Sequence, residues 1–293
     1  MVAMEITRTL LPSSSFSNLR RAPPLFHFHV SPSSSLYPDV LHSQSSLPIT
    51  SRSHFRKPLA VSDGSASATK VAVDDPSLEV KKKAMDVSPE LKGTTIFLVG
   101  MKSSIKTSLG KFLANVLRYY YFDSDSLVEE AAGTLSAAKS LREIDKSGFQ
   151  ESETEVLKQL SSMGRLMVCA GDGATQSTTN LALLRHGITI WIDVPLDIVA
   201  RGMVEDQTQL SAYNLSTSVA YPEVLTRLST AFEELRGGYA IADATVSVQQ
   251  VAGKLGYDEI DDVTTEDMVL EVLKEVEKLT RVKKMMEEAA RPF

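Results

Sequence analysis

Cys169 is the only cysteine among 293 residues, so an internal disulfide and a CxxC-type metal site are excluded. The sequence also lacks a run of about 20 apolar residues, and no membrane span is expected. Positive charge is in deficit, since 31 Lys and Arg residues stand against 37 Asp and Glu residues for a net charge of −6. That balance gives no electrostatic footprint for nucleic acid, and we expect no nucleic-acid partner.

The first 60 residues or so are poor in acids and rich in serine, proline and arginine. Glu5 and Asp39 are the only acidic residues there. No 7–15-residue apolar segment precedes a small-residue cleavage site, as a secretory signal would require. This composition is typical of an organelle transit peptide, and its length and Ser/Pro content favour a plastid over a mitochondrion. We predict a plastid transit peptide over residues 1–60; a disordered tail without a targeting role is the alternative.

A polar linker is predicted over residues 61–92, disordered and including the run Lys81-Lys82-Lys83 as a solvated tether rather than a binding patch. The remaining residues, 93–290, number about 200, which is enough for one α/β domain with an ordinary core.

Within this domain, short apolar segments alternate with amphipathic helical ones. The predicted strands are 94–99, 119–122, 166–170, 188–193 and 244–248. This alternation favours a three-layer α/β/α fold, in which helices cover both faces of a central parallel sheet. Ligands of such folds bind beyond the carboxyl ends of the strands. Those ends are Gly100, Asp123, residues 171–173 and residues 193–195.

The domain is predicted to close with a long C-terminal helix. Thr264 or Thr265 caps it, and it runs to about Ala290. One apolar stripe follows the helical period: Val269, Val272, Leu273, Val276 and Leu279. We expect this stripe to pack on its own domain; docking of a partner is the alternative.

The first strand precedes a segment like a phosphate-binding loop. Such a loop has a glycine, four residues, then Gly-Lys-Thr before a helix; backbone N–H groups hold phosphate, the lysine bridges phosphates and the hydroxyl meets Mg²⁺. Residues 100–107 read Gly-Met-Lys-Ser-Ser-Ile-Lys-Thr, so Gly100, Lys106 and Thr107 match. A lysine-threonine pair that starts a helix by chance is the alternative interpretation.

Ile105 occupies the second glycine position of this loop. Glycine reaches backbone angles forbidden to β-branched residues and lets phosphate approach the chain. A residue strained into the left-handed region costs about 1–3 kcal/mol. We therefore expect Ile105 to strain the loop or to force another conformation, with its side chain filling phosphate volume.

Further motifs follow in the order and spacing of shikimate kinase, which the stretch from about 93 to 250 resembles. They lie at 122–125, 129–133, 148–153, 170–174 and 191–195. The resemblance implies a P-loop-kinase-like fold. It is strongest to the plant plastid branch called shikimate-kinase-like, regarded as inactive for that reaction and linked with chloroplast development.

The resemblance also implies roles for the residues that match. Gly100, Lys106 and Thr107 correspond to nucleotide-binding positions, and Thr107 and Asp123 to positions associated with Mg²⁺. Asp125 corresponds to the carboxylate that holds and activates the substrate hydroxyls. Asp123 and Asp125 stand two apart at a strand end, so their side chains are expected to face the same way.

The departures from the family pattern affect separate functions. They are Ser103 and Ile105 in the loop, Gln150 in place of a substrate-binding arginine, and Asp172 in place of a glycine. Replacing arginine removes a bidentate cationic fork, and Asp172 adds negative charge where an anionic substrate should lie. The segment 202–226, the lid by resemblance, contains no Lys or Arg, and Arg236 stands one residue from the spacing of a second substrate arginine.

Three hypotheses follow for the function. The favoured one is a non-catalytic chloroplast stromal protein that requires no cofactor and acts on an unknown plastid protein partner, with residual ATP/Mg²⁺ binding left open. The second is a nucleotide-dependent kinase of another small molecule, for which Lys106, Thr107, Asp123 and Asp125 are retained. The third is a true shikimate kinase with unusual loops.

Overall fold

The computed structural model describes residues 76–131, 146–205 and 220–290. All of them belong to one compact unit, Ala72–Phe293. The predicted transit peptide, the first part of the predicted linker and most of the predicted lid lie outside the described residues.

A parallel sheet forms the centre of the described part, as the sequence predicts. Its five strands stand in the order β2-β3-β1-β4-β5 and all pair in parallel. Every residue of β1 and β3 is buried, as expected for central strands covered on both faces. The strands are β1 Ile96–Val99, β2 Tyr120–Asp123, β3 Leu166–Cys169, β4 Ile188–Asp193 and β5 Ala244–Ser247.

Helices cover the two faces of this sheet. They are α1 Pro76–Leu91, α2 Ser104–Leu117, α3 Ser124–Ala131, α4 Lys146–Ser162, α5 Thr178–Leu184, α6 Leu196–Glu205, α7 Tyr221–Tyr239, α8 Val248–Leu255 and α9 Thr265–Ala289. Connections between parallel strands are right-handed, so α2, which leads from β1 back to β2, lies on one face. The later connections advance the other way and place α3 to α7 on the opposite face. The three-layer α/β/α prediction is confirmed.

Helix α1 corrects the predicted linker, because residues 76–91 are helical rather than disordered. Val80, Ala84, Val87 and Leu91 are buried and recur every three or four residues on one side of the helix. This stripe packs against α9 and α2, and Lys83 Nζ lies 2.5 Å from Glu277 Oε2 of α9. The stripe is narrow and the remaining residues are polar, so composition alone indicated a linker.

Helix α9 agrees with the sequence prediction at both ends. Thr264 is its N-cap: the Asp267 N–H donates to Thr264 Oγ1 at 3.2 Å, and the Thr264 N–H donates to Asp267 Oδ2 at 3.0 Å. This reciprocal capping satisfies two donors at the helix start. Four of the five residues in the predicted stripe are buried against the domain, which confirms packing on its own core. In the described ranges, no helix has both the length and the apolar character that a bilayer crossing demands.

Candidate functional site

The candidate site lies at the carboxyl edge of the sheet, where β1 and β3 end side by side. After β1 the chain turns to α2 on one face, and after β3 it turns to a short 3₁₀ segment, Asp172–Thr175, on the other. A reversal of this kind opens a crevice between neighbouring strands of a parallel sheet. Gly100, Lys106, Asp125 and Asp172 of the predicted site all meet in this crevice.

Helix α2 begins at Ser104, before the lysine and threonine of the loop motif. Ser103, one of the residues that depart from the family pattern, is extended at φ −153° and caps the helix. Its hydroxyl accepts a hydrogen bond from the Lys106 N–H at 3.2 Å, and its carbonyl accepts one from the Thr107 N–H at 3.2 Å. The backbone donors of Lys106 and Thr107 are therefore engaged inside the protein rather than directed at a phosphate.

Ile105 sits unstrained in the first turn of α2. Positive φ angles at non-glycine residues occur in the described part only at Lys92, Arg118 and Arg165. The half-buried Ile105 side chain packs against the hydrophobic core. We expected Ile105 either to strain the loop or to force another conformation. The second is observed, because Ile105 is part of helix α2.

Lys106 is buried and points back into the sheet. Its ammonium donates to the carbonyl of Gly100 at 2.5 Å and to the carbonyl of Ala170 at 3.0 Å. Asp172 Oδ1 lies 4.0 Å from the same nitrogen. The Thr107 hydroxyl donates to the Ser103 carbonyl at 3.3 Å. In this arrangement the Lys106 ammonium and the Thr107 hydroxyl both donate to backbone carbonyls of the protein.

Asp125 and Asp123 take different partners although they stand two residues apart. Asp125 is buried, and its Oδ2 lies 3.4 Å from Lys102 Nζ. Asp123 is half-buried at the end of β2, and its Oδ1 accepts the Ser126 N–H of α3 at 3.0 Å. Asp123 thus holds the start of α3, while Asp125 reaches the crevice. Among the described residues, no group of three or more His, Cys, Asp or Glu side chains could hold a metal ion.

The turn after β3 is packed tightly against two carboxylates. A Cβ on Gly171 would stand 2.0 Å from Asp125 Oδ1, and a Cβ on Gly173 would stand 2.7 Å from Glu153 Oε2. A side chain at either position would have to displace one of these carboxylates. Asp172, between them, is the residue where a larger side chain is accommodated, and it faces Lys106.

Tyr239 closes the floor of the crevice. Its ring packs against Trp191 with centroids 5.9 Å apart, and its hydroxyl donates to Met101 Sδ at 3.7 Å. Burial raises the pKa of Tyr239, and the charges of Asp172 and Asp125 raise this pKa further. The phenol therefore stays protonated, as a neutral neighbour of two carboxylates.

The two positions that correspond to substrate-binding arginines differ in exposure. Gln150 is half-buried in the first turn of α4. Arg236 is exposed on α7, where its Nη1 lies 3.5 Å from Glu233 Oε2. Arg236 is thus part of a surface ion pair within α7.

A cavity of about 340 Å³ adjoins the start of α2. Ser103, Ser104 and Ile105 line one side of it. Arg201 lines the other, and its two terminal nitrogens bind the two Asp261 oxygens at 2.8 and 2.9 Å. This hydrogen bonding lowers the pKa of Asp261. The pair ties α6 to the 3₁₀ turn Ile260–Asp262 before α9.

Sequence reasoning assigned no role to Lys102 or Glu153. Lys102 lies in the loop before α2, and its contact with Asp125 depends on how β1 and β2 end in space. Glu153 is fully buried beside Gly171 and Gly173. It stands three residues after Gln150, on the same face of α4, and this spacing is the feature that could have drawn attention to it.

Comparisons of the whole sequence with known proteins agree on one family. The family model for shikimate kinase matches residues 102–252. A protein described as probable inactive shikimate kinase like 1, chloroplastic, from Arabidopsis thaliana is 56% identical over 255 residues, covering 87% of this chain and 88% of that protein. Shikimate kinase 3, chloroplastic, from Oryza sativa subsp. japonica is 39% identical, covering 72% of this chain and 74% of that protein.

A solved structure agrees at the level of the fold. Shikimate kinase from Acinetobacter baumannii, in complex with shikimate, superposes with a TM-score of 0.53 at 22% identity. The match covers 66% of this chain and 97% of the bacterial chain. Helices α1 and α9 lie outside the residues that the family model matches.

Proposed function

The chain belongs to the shikimate kinase family, and we propose that it is a non-catalytic member of that family in the chloroplast stroma, where it acts in chloroplast biogenesis by binding a protein partner. The chloroplastic relatives from Arabidopsis thaliana and Oryza sativa support the compartment, as does the transit-peptide composition of residues 1–60. The name of the Arabidopsis relative supports the absence of kinase activity.

The observation that carries this proposal is the position of Lys106. Phosphoryl transfer depends on cations and backbone donors aligned on the moving phosphoryl group. Here the Lys106 ammonium binds the carbonyls of Gly100 and Ala170, and Asp172 stands beside it. A triphosphate would have to displace both carbonyls and overcome the repulsion of a carboxylate.

The substrate side supports the same conclusion. Asp125, which corresponds by resemblance to the activating carboxylate, is paired with Lys102 at 3.4 Å. Gln150 cannot form the bidentate contact that an arginine makes with a carboxylate. Losing one buried charge-assisted contact costs about 1.5–3 kcal/mol, and each 1.4 kcal/mol is about tenfold in rate.

The test is a calorimetric titration of the full chain with ATP-Mg²⁺ and with shikimate, beside an assay of shikimate-dependent ATP consumption. We expect neither binding heat nor turnover from the wild-type chain. The variant Ile105→Gly, Gln150→Arg, Asp172→Gly is the companion, and we expect it to regain ATP-Mg²⁺ binding because it restores the loop glycine and removes the opposing charge.

Other outcomes would point to the two remaining hypotheses. Substantial shikimate-dependent ATP consumption by the wild-type chain would refute the proposal, as would restored growth of a shikimate-kinase-deficient bacterium. ATP-Mg²⁺ binding without shikimate turnover would favour a nucleotide-dependent kinase of another small molecule, using the retained Lys106, Thr107, Asp123 and Asp125.

A further inference from the structure

We infer that the anion site of this domain is filled from within: the Asp172 carboxylate stands where a ligand would bring negative charge and pairs with Lys106, while Lys102 pairs with the retained Asp125, both as structural ion pairs. The inference rests on the proposed non-catalytic function. It gives the retained lysine and aspartate of the site a second use, which is to hold the carboxyl edge of the sheet together.

Lys106 joins the ends of two neighbouring strands. Gly100 follows β1 and Ala170 follows β3, and the Lys106 ammonium binds both carbonyls at 2.5 and 3.0 Å. The two strands are already paired, and the last bond between them is the Ala170 N–H to the Leu98 carbonyl at 2.9 Å. The Lys106 ammonium adds a contact just beyond this bond. A buried ammonium with two carbonyl acceptors therefore crosslinks β1 to β3 at the mouth of the crevice.

Asp172 supplies the counter-charge for this ammonium. Only 5% of the Lys106 side chain and 21% of the Asp172 side chain are exposed, so the pair is largely shielded from water. A buried charge is tolerated when it is paired and hydrogen-bonded, and carbonyl dipoles alone do not neutralise it. The Asp172 carboxylate, 4.0 Å away, provides this negative charge from within the chain.

A second ion pair closes the other wall of the crevice. Lys102 Nζ in the loop after β1 lies 3.4 Å from Asp125 Oδ2 in the first turn of α3. The same carboxylate lies beside Gly171, where an added Cβ would stand 2.0 Å from Oδ1. Asp125 is thus fixed between Lys102 and the turn that carries Asp172, and the two ion pairs are parts of one packed unit.

A double-mutant cycle on the full chain tests the structural role of Lys106. We expect Lys106→Met to lower the melting temperature by about 5 °C or more and Asp172→Asn by about 3 °C or more, because each change leaves a buried partner without its counterpart. The double variant should lose at least about 2 °C less than the sum of the two single losses. Additive losses would show that the two residues are not coupled.

Glu155→Gln is the matched control. Glu155 Oε2 lies 3.8 Å from Lys158 Nζ, nearly the same separation, but 68% of the Lys158 side chain is exposed. Exposed pairs contribute little to stability, so this change should move the melting temperature by no more than about 2 °C.

Inorganic phosphate is the second probe, and it uses Asp172→Gly, which removes the internal anion and leaves Lys106 in place. With phosphate about tenfold above its dissociation constant, the melting temperature of this variant should rise by about 3 °C. The wild-type chain should not respond, and chloride at equal ionic strength should move neither protein. Equal shifts in both proteins, or no shift in either, would overturn the inference.

The outcomes of these measurements distinguish the inference about the ion pairs from the proposed function. Shikimate-dependent ATP consumption by the wild-type chain would end the non-catalytic proposal whatever the cycle shows. An inactive chain in which Lys106 and Asp172 are uncoupled would keep that proposal and end only the inference about the internal ion pairs.

Discussion

Lys106 matches the lysine of a phosphate-binding loop in sequence, but its ammonium binds two backbone carbonyls of its own chain. The lysine and the threonine after it match a phosphate-binding loop in sequence, yet Ser103 caps the helix and takes up both of their backbone N–H groups. Ile105 favours this helical start, because a β-branched residue fits right-handed helical angles and not the angles open to glycine. Ser103 and Ile105, both departures from the family pattern, thus lie together at the start of α2.

Cys169 offers a residue-level prediction. It is buried at the end of β3, its thiol donates to the Lys106 carbonyl at 3.6 Å, and burial raises its pKa to about 11. Since the thiolate is the reactive form, native protein at pH 8 should react with a thiol reagent at least about 100-fold more slowly than unfolded protein.

The measurement is the rate of labelling by an aromatic disulfide reagent, with and without guanidinium chloride. The chain has one cysteine, so each signal reports one position. Rapid stoichiometric labelling of the native chain would contradict the burial of β3 beneath α2.

Helices α1 and α9 pack against each other, and both lie outside the segment that the family model matches. Two ion pairs hold them in parallel alignment, Lys83 with Glu277 and Glu90 with Lys284, and both pairs are separated by 194 positions in sequence. The apolar stripe of α1 is buried beneath this polar contact. The contact between α1 and α9 thus combines ion pairs at the protein surface with a hydrophobic interface beneath them.

The α1–α9 contact gives a pH-dependent prediction. Hydrogen bonding from Lys83 lowers the pKa of Glu277, with further lowering from Lys83 and Arg281 charges. A depressed folded-state pKa means that the contribution to stability is present above the unfolded value of about 4.3 and is lost as the pH falls through the folded value.

Glu277→Gln should therefore lower the melting temperature at pH 7 by no more than about 3 °C, and the difference from wild type should vanish near pH 3. Glu288→Gln, an exposed glutamate of the same helix, serves as the control. A difference that persists unchanged into acid would mean that Glu277 acts through packing rather than charge.

The local pattern of apolar residues was enough to predict the strands of the sheet. Helix α1 and the ion pairs of the site depend on contacts between residues far apart in sequence. Residues 188–193 form a strand with the boundaries that the apolar run indicated, since a buried parallel strand needs little more than such a run. Helix α1 was missed because it contains Pro89 and a run of lysines, and its burial depends on a helix almost 200 positions away. The Lys102–Asp125 pair was missed for the same reason: neither residue indicates its partner locally.

A truncation series tests this organisation. Removing residues 1–75 should leave the melting temperature within about 2 °C of the full chain, because the core lies within the described unit. Removing residues 1–92 deletes α1 and exposes its contact face on α9. Burial of Val80, Val87 and Leu91 contributes roughly 5–9 kcal/mol, which is comparable to the whole stability of an ordinary domain.

The shorter chain is therefore expected to unfold at ambient temperature or to aggregate, as judged by circular dichroism and size-exclusion chromatography. Leu78→Ala in the full chain is the control, because Leu78 is 66% exposed on the same helix. A stable, monomeric chain that begins at residue 93 would show that α1 is dispensable.

The pairing of α1 with α9 also bears on the order in which the protein matures. Helix α1 packs against α9 through residues that are 194 positions apart, so nearly 200 further residues must leave the ribosome before the two helices can meet. Contacts between such distant segments form slowly and leave apolar surface exposed in the interval. Until α9 has been synthesised, the apolar stripe of α1 lacks one of the surfaces that bury it in the folded domain.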